Sequence, residues 1–192
     1  MQNVDLSKFN NSWYNPGNSL KRFVWYFKNL FLFKSSLPWP NALKIFILRF
    51  FGAKIGKNVV FKPNVNIKYP WLLEIGDNTW IGEDVWIDNL GKVKIGNNVC
   101  ISQGALLLCG NHNYKKSTFD LIVGDITLED GVWVGAKSVV CPGVSMKSHS
   151  ILSVGSVLTK DAVEYGIYQG NPAVLVKDRD LRSEIGDQRS EI

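Results

Sequence analysis

Between Leu128 and Val163 the chain repeats a pattern of apolar and small residues every six positions. The blocks read LEDGVW, VGAKSV, VCPGVS, MKSHSI, LSVGSV and LTKDAV. Leu128, Val134, Val140, Met146, Leu152 and Leu158 open them, and Val132, Ser138, Val144, Ser150, Ser156 and Ala162 follow four places later. At about 100° per residue a step of six turns through roughly 600°, so a helix would scatter these positions over three faces. The blocks are too short and too often broken by Gly for long strands. A chain that makes a short strand, turns a corner and repeats fits the pattern. Three sides close one triangular coil, and the coils stack as a solenoid.

The same period begins earlier. Ile55, Phe61 and Ile67 open a first set, Ile75, Ile81 and Ile87 a second, and Ile95, Ile101 and Leu107 a third. Ile55 to Ile75 and Ile75 to Ile95 are each 20 residues, three hexads plus two. Gly56, Gly76, Gly82, Gly96 and Gly135 follow leading aliphatics, where a tight corner would favour glycine. Asn and Asp recur beside them and tolerate turn geometry. From Leu107 to Leu128 is 21 residues, so the two registers do not join. The interruption, CGNHNYKKSTFDLIVGD, predicts a polar loop over about 108–125 thrown out from a rigid scaffold, where chemistry tends to sit.

The ends read differently. Asn15-Pro16-Gly17 predicts a turn, and Asn18 or Ser19 could cap a helix from Leu20 to Phe33. Pro38-Trp39-Pro40 breaks it, and a second helix, Asn41 to Phe51, presents Leu43, Phe46, Ile47 and Phe50 at helical spacing. Both helices would cover a sheet edge at the solenoid end. The alternative for residues 20–34, where Lys and Arg flank aromatics, is peripheral membrane contact. The organisation is thus a helical segment over 1–52, a solenoid over 53–177 and a charged tail over 178–192.

Hydrophobic residues make up 45% and charged residues 20%, a globular rather than disordered balance. A net charge of +5 suits an anionic ligand or membrane surface, and no nucleic-acid motif accompanies it. Cys100, Cys109 and Cys141 lack metal or redox spacing and read as reduced packing residues of a cytosolic protein. No signal-peptide pattern opens the chain, and the apolar run Phe23 to Phe33 is too short to span a bilayer.

These stretches resemble the hexapeptide-repeat acyltransferases, and within them the colanic-acid (exopolysaccharide) biosynthesis acetyltransferase family. The matching segments are VDLSKFNNSWYNPG, FGAKIGKNVVFKPNVNIKYPW, EIGDNTWIGEDVWIDNLGKVKIGNNVCISQGALL, NHNYKKSTFDLI, GVWVGAKSVVCPGV and GSVLTKDAVEYGIYQGNPA, up to about Lys177. The resemblance implies an all-β solenoid, a left-handed parallel β-helix, assembled as a homotrimer with sites shared between subunits. It implies acetyl-CoA as co-substrate, no metal, and a sugar or glycolipid acceptor acetylated in the cytoplasm or at the inner membrane face.

By the same resemblance the loop histidine His112 is the general base that takes the proton of the attacking sugar hydroxyl. Asn111 and Asn113 flank it where relatives often carry Ser or Gly and Asp, so Asp88 or a backbone carbonyl could fix its tautomer. Asp88, Asn89 and Tyr114 would meet the acceptor. Trp133, Ala136, Ser153, Val154 and Thr159 would line the coenzyme groove, with Lys160 and Lys177 toward its phosphates. His149, in MKSHSI, reads as a solvated corner residue. A covalent route through Cys109 lacks a Cys–His signature. A zinc enzyme needing three His ligands is at odds with the two His present. N-acetylation of a nucleotide-linked amino sugar and a non-enzymatic binding solenoid are the remaining alternatives. Repeat spacing does not name the sugar or the hydroxyl.

Overall fold

The structure, a computed structural model, describes residues 3–180. The expected tail beyond residue 180 lies outside the described residues.

The six-residue pattern becomes strands of two or three residues. The first coil comprises β1 (Lys54–Ile55), β2 (Val60–Phe61) and β3 (Asn66–Ile67). The second comprises β4 (Leu73–Ile75), β5 (Trp80–Ile81) and β6 (Trp86–Asp88), and the third β7 (Val93–Ile95), β8 (Cys100–Ile101) and β9 (Leu106–Leu108). A hairpin of β10 (Gly110–His112) and β11 (Leu121–Val123) interrupts them. Winding resumes with β12 (Ile126–Leu128), β13 (Trp133–Val134) and β14 (Val139–Val140), then β15 (Ser145–Met146), β16 (Ile151–Leu152) and β17 (Val157–Leu158). An antiparallel pair, β18 (Gly166–Gly170) and β19 (Ala173–Asp178), ends the described solenoid.

Three sheets form the faces of the prism, in the orders β1-β4-β7-β12-β15, β2-β5-β8-β13-β16-β18-β19 and β3-β6-β9-β14-β17, parallel throughout except for the β18–β19 pair. Ile55 pairs Ile75, Ile75 pairs Ile95, and Ile95 pairs Leu128 across the inserted hairpin. Each leading aliphatic therefore stacks on its counterpart in the next coil, and all of them are buried. Full burial of such a side chain contributes about 1.5–3 kcal/mol. The small residues four places on are buried at the corners. At two of the serines corner carbonyls satisfy the hydroxyls: Ser138 Oγ donates to Ser153 O at 2.7 Å and Ser150 Oγ to Lys147 O at 2.7 Å, while Ser156 Oγ accepts from Gly170 N at 3.0 Å.

The corner glycines have a different cause from the one expected. The left-handed backbone falls two residues later, at Asn58 (φ 54°), Asn78 (φ 55°), Asn98 (φ 54°) and Lys137 (φ 55°). At Gly76 the constraint is space: a Cβ there would lie 2.7 Å from the Gly96 carbonyl carbon of the next coil. Gly135 is the same, with Leu152 O 2.6 Å away. A ladder of side chains runs up one edge, where Asp77 Oδ1 accepts from Lys57 N, Asn97 Oδ1 from Asp77 N, and Asp130 Oδ1 from Asn97 N, all within 2.8 Å.

The first coil leaves three strands with an unpaired edge, and the N-terminal helices cover them. These are α1 (Ser19–Lys28), which passes into a π-helical turn over Asn29–Phe33, and α2 (Asn41–Phe50). Trp25 Nε1 donates to Ile67 O, Asn29 Oδ1 accepts from Ile67 N, Asn41 bridges Val59 O and Phe61 N, and Arg49 donates to Ile55 O. The α2 stripe expected to face the solenoid is corrected here. Phe46 and Phe50 are 66% and 77% exposed, and Lys44 and Leu48 are buried instead. Lys44 faces inward because its Nζ donates to the Phe61 and Lys62 carbonyls; burial holds its pKa below the usual lysine value.

Replacing Gly76 with Ala should destabilise the fold by about 1–3 kcal/mol, the range for overpacking a close contact. Chemical denaturation of the variant measures this, and an unchanged midpoint would refute close coil approach as the reason for glycine.

Candidate active site

The inserted hairpin leaves the solenoid at Cys109 and returns at Ile126. Its strands pair Gly110 with Val123, Asn111 with Ile122 and His112 with Leu121, which puts His112 at the end of the ladder. The imidazole is held on two sides by one residue. Nδ1 lies 2.9 Å from Phe119 O, and the Phe119 ring stacks on the imidazole at 4.4 Å with 7° between planes. A carbonyl only accepts, so Nδ1 carries the proton and neutral His112 keeps Nε2 as a proton acceptor. Of the two ways of fixing the tautomer considered from the sequence, the carbonyl is the one seen. Phe119 has φ 50°, an uncommon conformation for a bulky residue and one that concentrates at functional sites.

A third ring completes the setting. Phe9 lies 5.7 Å from the imidazole, tilted by 54°. It belongs to the segment before α1. That segment is tied down by Asp5 N–H to Ser117 O at 2.8 Å and Tyr14 OH to Leu90 O at 2.8 Å. Burial raises the pKa of Tyr14, with nearby Tyr69 and Asp88 adding to the effect, so it stays a neutral donor. Together these elements enclose a cavity of about 520 Å³, within the usual size of small-molecule sites. Asn11, Ser12, Tyr14, Arg22, Lys68 and His112 supply its polar lining.

The residues expected around the acceptor separate. Asp88 is buried and accepts from Lys68 Nζ at 2.9 Å, beside the cavity rather than in its wall. Asn89 is fully buried and clamps a corner: Nδ2 donates to Tyr69 O at 2.6 Å and Oδ1 accepts from Tyr69 N at 2.9 Å. It stands where two extra residues enlarge the coil, and those residues need this clamp. Tyr114 is 75% exposed at the loop tip and does not line the His112 cavity. Sequence reasoning missed Phe9, Tyr14 and Phe119. The available signal for Phe119 was an aromatic ring standing between the polar residues Ser117-Thr118 and Asp120.

On the second face of the prism, Trp133, Ala136, Ser153 and Val154 line one groove of about 490 Å³ with Ser102, Gln103 and Ile167. Trp133 Nε1 donates to Ser102 Oγ at 2.9 Å, which orients the indole along the groove wall. Thr159, Lys160 and Lys177 are exposed outside it, although Lys177 pairs with Ile167 on the neighbouring strand. No residue is shared between this groove and the His112 cavity.

Cys109 is fully buried, and burial pushes its thiol up to about 12, which leaves negligible thiolate at neutral pH. His149 is half-buried, not simply solvated: it stacks on Tyr165 at 5.0 Å and 16° and sits over Gly131. Among the described residues, no group of three or more His, Cys, Asp or Glu could hold a metal ion.

The WcaF protein of Escherichia coli (strain K12), assigned as an acetyltransferase of colanic acid biosynthesis, is 35% identical over 176 residues, 91% of this chain and 97% of its own length. The chain belongs to the colanic acid biosynthesis acetyltransferase family. It is an acyltransferase, and its setting is polysaccharide biosynthesis. The galactoside O-acetyltransferase of E. coli (strain K12) is 26% identical over 168 residues, 84% of this chain and 83% of its own. No protein-family model matches the chain. Among solved structures, a hexapeptide-repeat acetyltransferase of Vibrio cholerae superposes with TM-score 0.76 at 21% identity, covering 84% of this chain and 92% of that one. Galactoside acetyltransferase in complex with coenzyme A superposes with TM-score 0.75 at 22% identity, covering 86% and 84%. The fold is the left-handed parallel β-helix of these enzymes.

Cys109→Ala should keep acetyl transfer within about threefold of wild type, since a thiol this buried cannot act as a nucleophile at neutral pH. Steady-state rates decide, and loss of activity in a folded variant would reopen the covalent route.

Proposed function

We propose that the chain transfers an acetyl group from acetyl-CoA to a hydroxyl of a sugar in cell-surface polysaccharide biosynthesis, with His112 as general base. The observation that carries this reading is the Nδ1 contact to Phe119 O, which leaves Nε2 free to accept a proton at the wall of a sugar-sized cavity. A hydroxyl needs such a base more than an amine does, because it attacks only as its proton departs.

In this reading His112 takes the hydroxyl proton as the sugar oxygen attacks the thioester carbonyl. Phe119 and Phe9 keep the imidazole from turning, and Nδ1–H to the Phe119 carbonyl steadies the imidazolium that forms. Tyr14, Ser12, Asn11 and Arg22 offer hydrogen bonds to the other sugar hydroxyls. Asp88 orients Lys68 at the cavity rim, and Tyr114 and Asn89 have no direct part.

The groove with Trp133, Ala136, Ser153 and Val154 suits the thin pantetheine arm of the donor. Thr159, Lys160 and Lys177, exposed outside the groove, are assigned to the coenzyme's phosphate end, where the lysines can meet phosphates as point charges. Because the groove and the His112 cavity are separate within one chain, a homotrimer joins them, with the groove of one protomer against the imidazole of the next. The reaction belongs to the cytoplasm, at the inner face of the membrane.

The outer surface of the helical cap supports the proposed membrane contact. Phe23, Tyr26 and Phe31 are each 63% exposed, next to the basic Lys28 and Lys34. Among the described residues no helix is long and apolar enough to cross a bilayer, so this surface would lie on the interface.

His112→Ala should leave a folded oligomer and lower kcat by about 10²- to 10⁴-fold. Coenzyme release measured with galactosyl and fucosyl acceptors tests this, and wild-type turnover in the variant would defeat the assignment. Serine in place of Phe23, Phe27 and Phe31 together should weaken co-sedimentation with anionic vesicles by about tenfold or more. Equal sedimentation of variant and wild type would remove the membrane from the account.

A further inference from the structure

A second cavity, of about 360 Å³, lies between α1, the π-helical turn and the first two coils. Its charged lining is Arg22, Lys34, Lys68 and Asp88. Asp88 is engaged by Lys68 at 2.9 Å, which leaves the charge of Arg22 and Lys34 uncompensated there. Arg22 Nε is buried and has no hydrogen-bond partner among the described residues. A buried donor left without an acceptor is unfavourable, so this guanidinium is not used up by contacts within the chain. Lys34 owes its place to the π-helical turn, whose last hydrogen bond is Lys34 N–H to Asn29 O at 2.8 Å. Asn29 and Asn66 add amides to the wall, and Trp25, Tyr26, Leu30 and Trp86 give it an apolar and aromatic side. Arg22, Lys68 and Tyr69 also line the His112 cavity, so the two spaces share a wall.

We infer that this second cavity is an anion subsite that reads a phosphate or diphosphate ester carried by the acceptor sugar. The inference rests on the reading above that the His112 cavity holds that sugar. Arg22 can meet two phosphoryl oxygens with its planar fork, and Lys34 and Lys68 add point charges. A carboxylate carries one charge and would answer only part of this set. A diphosphate ester carries at least two, on oxygens spread far enough to reach Arg22 and Lys34 together. Both a nucleoside diphosphate sugar and a prenyl diphosphate sugar present that chemistry, and the aromatic side of the wall accepts either a stacked base or a lipid chain.

The first test is calorimetric titration of the full chain with inorganic pyrophosphate while coenzyme A is saturating, so that the coenzyme's own phosphate site is filled. One site per chain is expected, weakened about tenfold or more by Lys34→Met and by Arg22→Met. No binding under coenzyme saturation, or equal binding in the variants, would overturn the subsite. The titration needs no turnover, so its outcome is independent of whether His112 is the base. The second test is kinetic. Lys34→Met should raise KM about tenfold or more for a sugar diphosphate ester and leave kcat and KM for the methyl glycoside unchanged. An equal effect on both acceptors, or a methyl glycoside of a uronic acid bound as well as the diphosphate ester, would refute it. Running the uridine diphosphate and farnesyl diphosphate esters side by side identifies the source, since the true acceptor has the higher kcat/KM.

Discussion

The parallel pairing of one short strand with its counterpart in the next coil is the interaction on which the molecule depends. Each strand is only two or three residues long and has no stability alone. It persists because Ile75 stacks between Ile55 and Ile95 while backbone groups on either side close hydrogen bonds along the axis. Close stacking dictates the rest of the corner chemistry. Glycine stands where the next backbone would meet a Cβ, and small buried residues fill the turns. It also creates an end problem, since the first coil has no neighbour. The polar side chains Trp25, Asn29, Asn41, Lys44 and Arg49 replace the missing coil with individual hydrogen bonds. The helical cap is therefore part of the solenoid's hydrogen-bond accounting, and its aromatic surplus is left facing outward.

That rigidity lets a flexible-looking loop hold the His112 imidazole in place. The hairpin is anchored where coil register resumes, with Ile95 pairing Leu128 across it. Its tip is fixed by contacts that run across the chain: the Phe119 carbonyl and ring on His112, and the Asp5–Ser117 bond from the N-terminal segment. The cap thus serves twice, closing the edge of the first coil and walling the cavity in which the imidazole sits.

Much of the scaffold was legible because a six-residue period is a local property. Every leading aliphatic from Ile55 to Leu158 could be marked as core before any coordinates, and each is buried. The breaks in period were equally informative, since Leu107 and Leu128 lie out of register with each other and the hairpin stands between them. The helical cap was read less well. Phe46 and Phe50 had the spacing of a buried stripe, yet α2 turns Lys44 inward because edge carbonyls of the first coil need donors more than its core needs two further rings. Asn89 and Asp88 looked alike as polar residues in one break, yet one is consumed by the peptide of Tyr69 and the other holds Lys68 at a cavity rim.

The sequence by itself determined the coil, the place of the inserted loop and the histidine within it, because these follow from spacing along the chain. Only the tertiary structure decided what that histidine can do. Its tautomer depends on a carbonyl seven residues away in a left-handed conformation, and its cavity on a segment about a hundred positions earlier. Contacts between residues so far apart leave no period to read, so they emerge only once the coils have stacked and the cap has closed over their end.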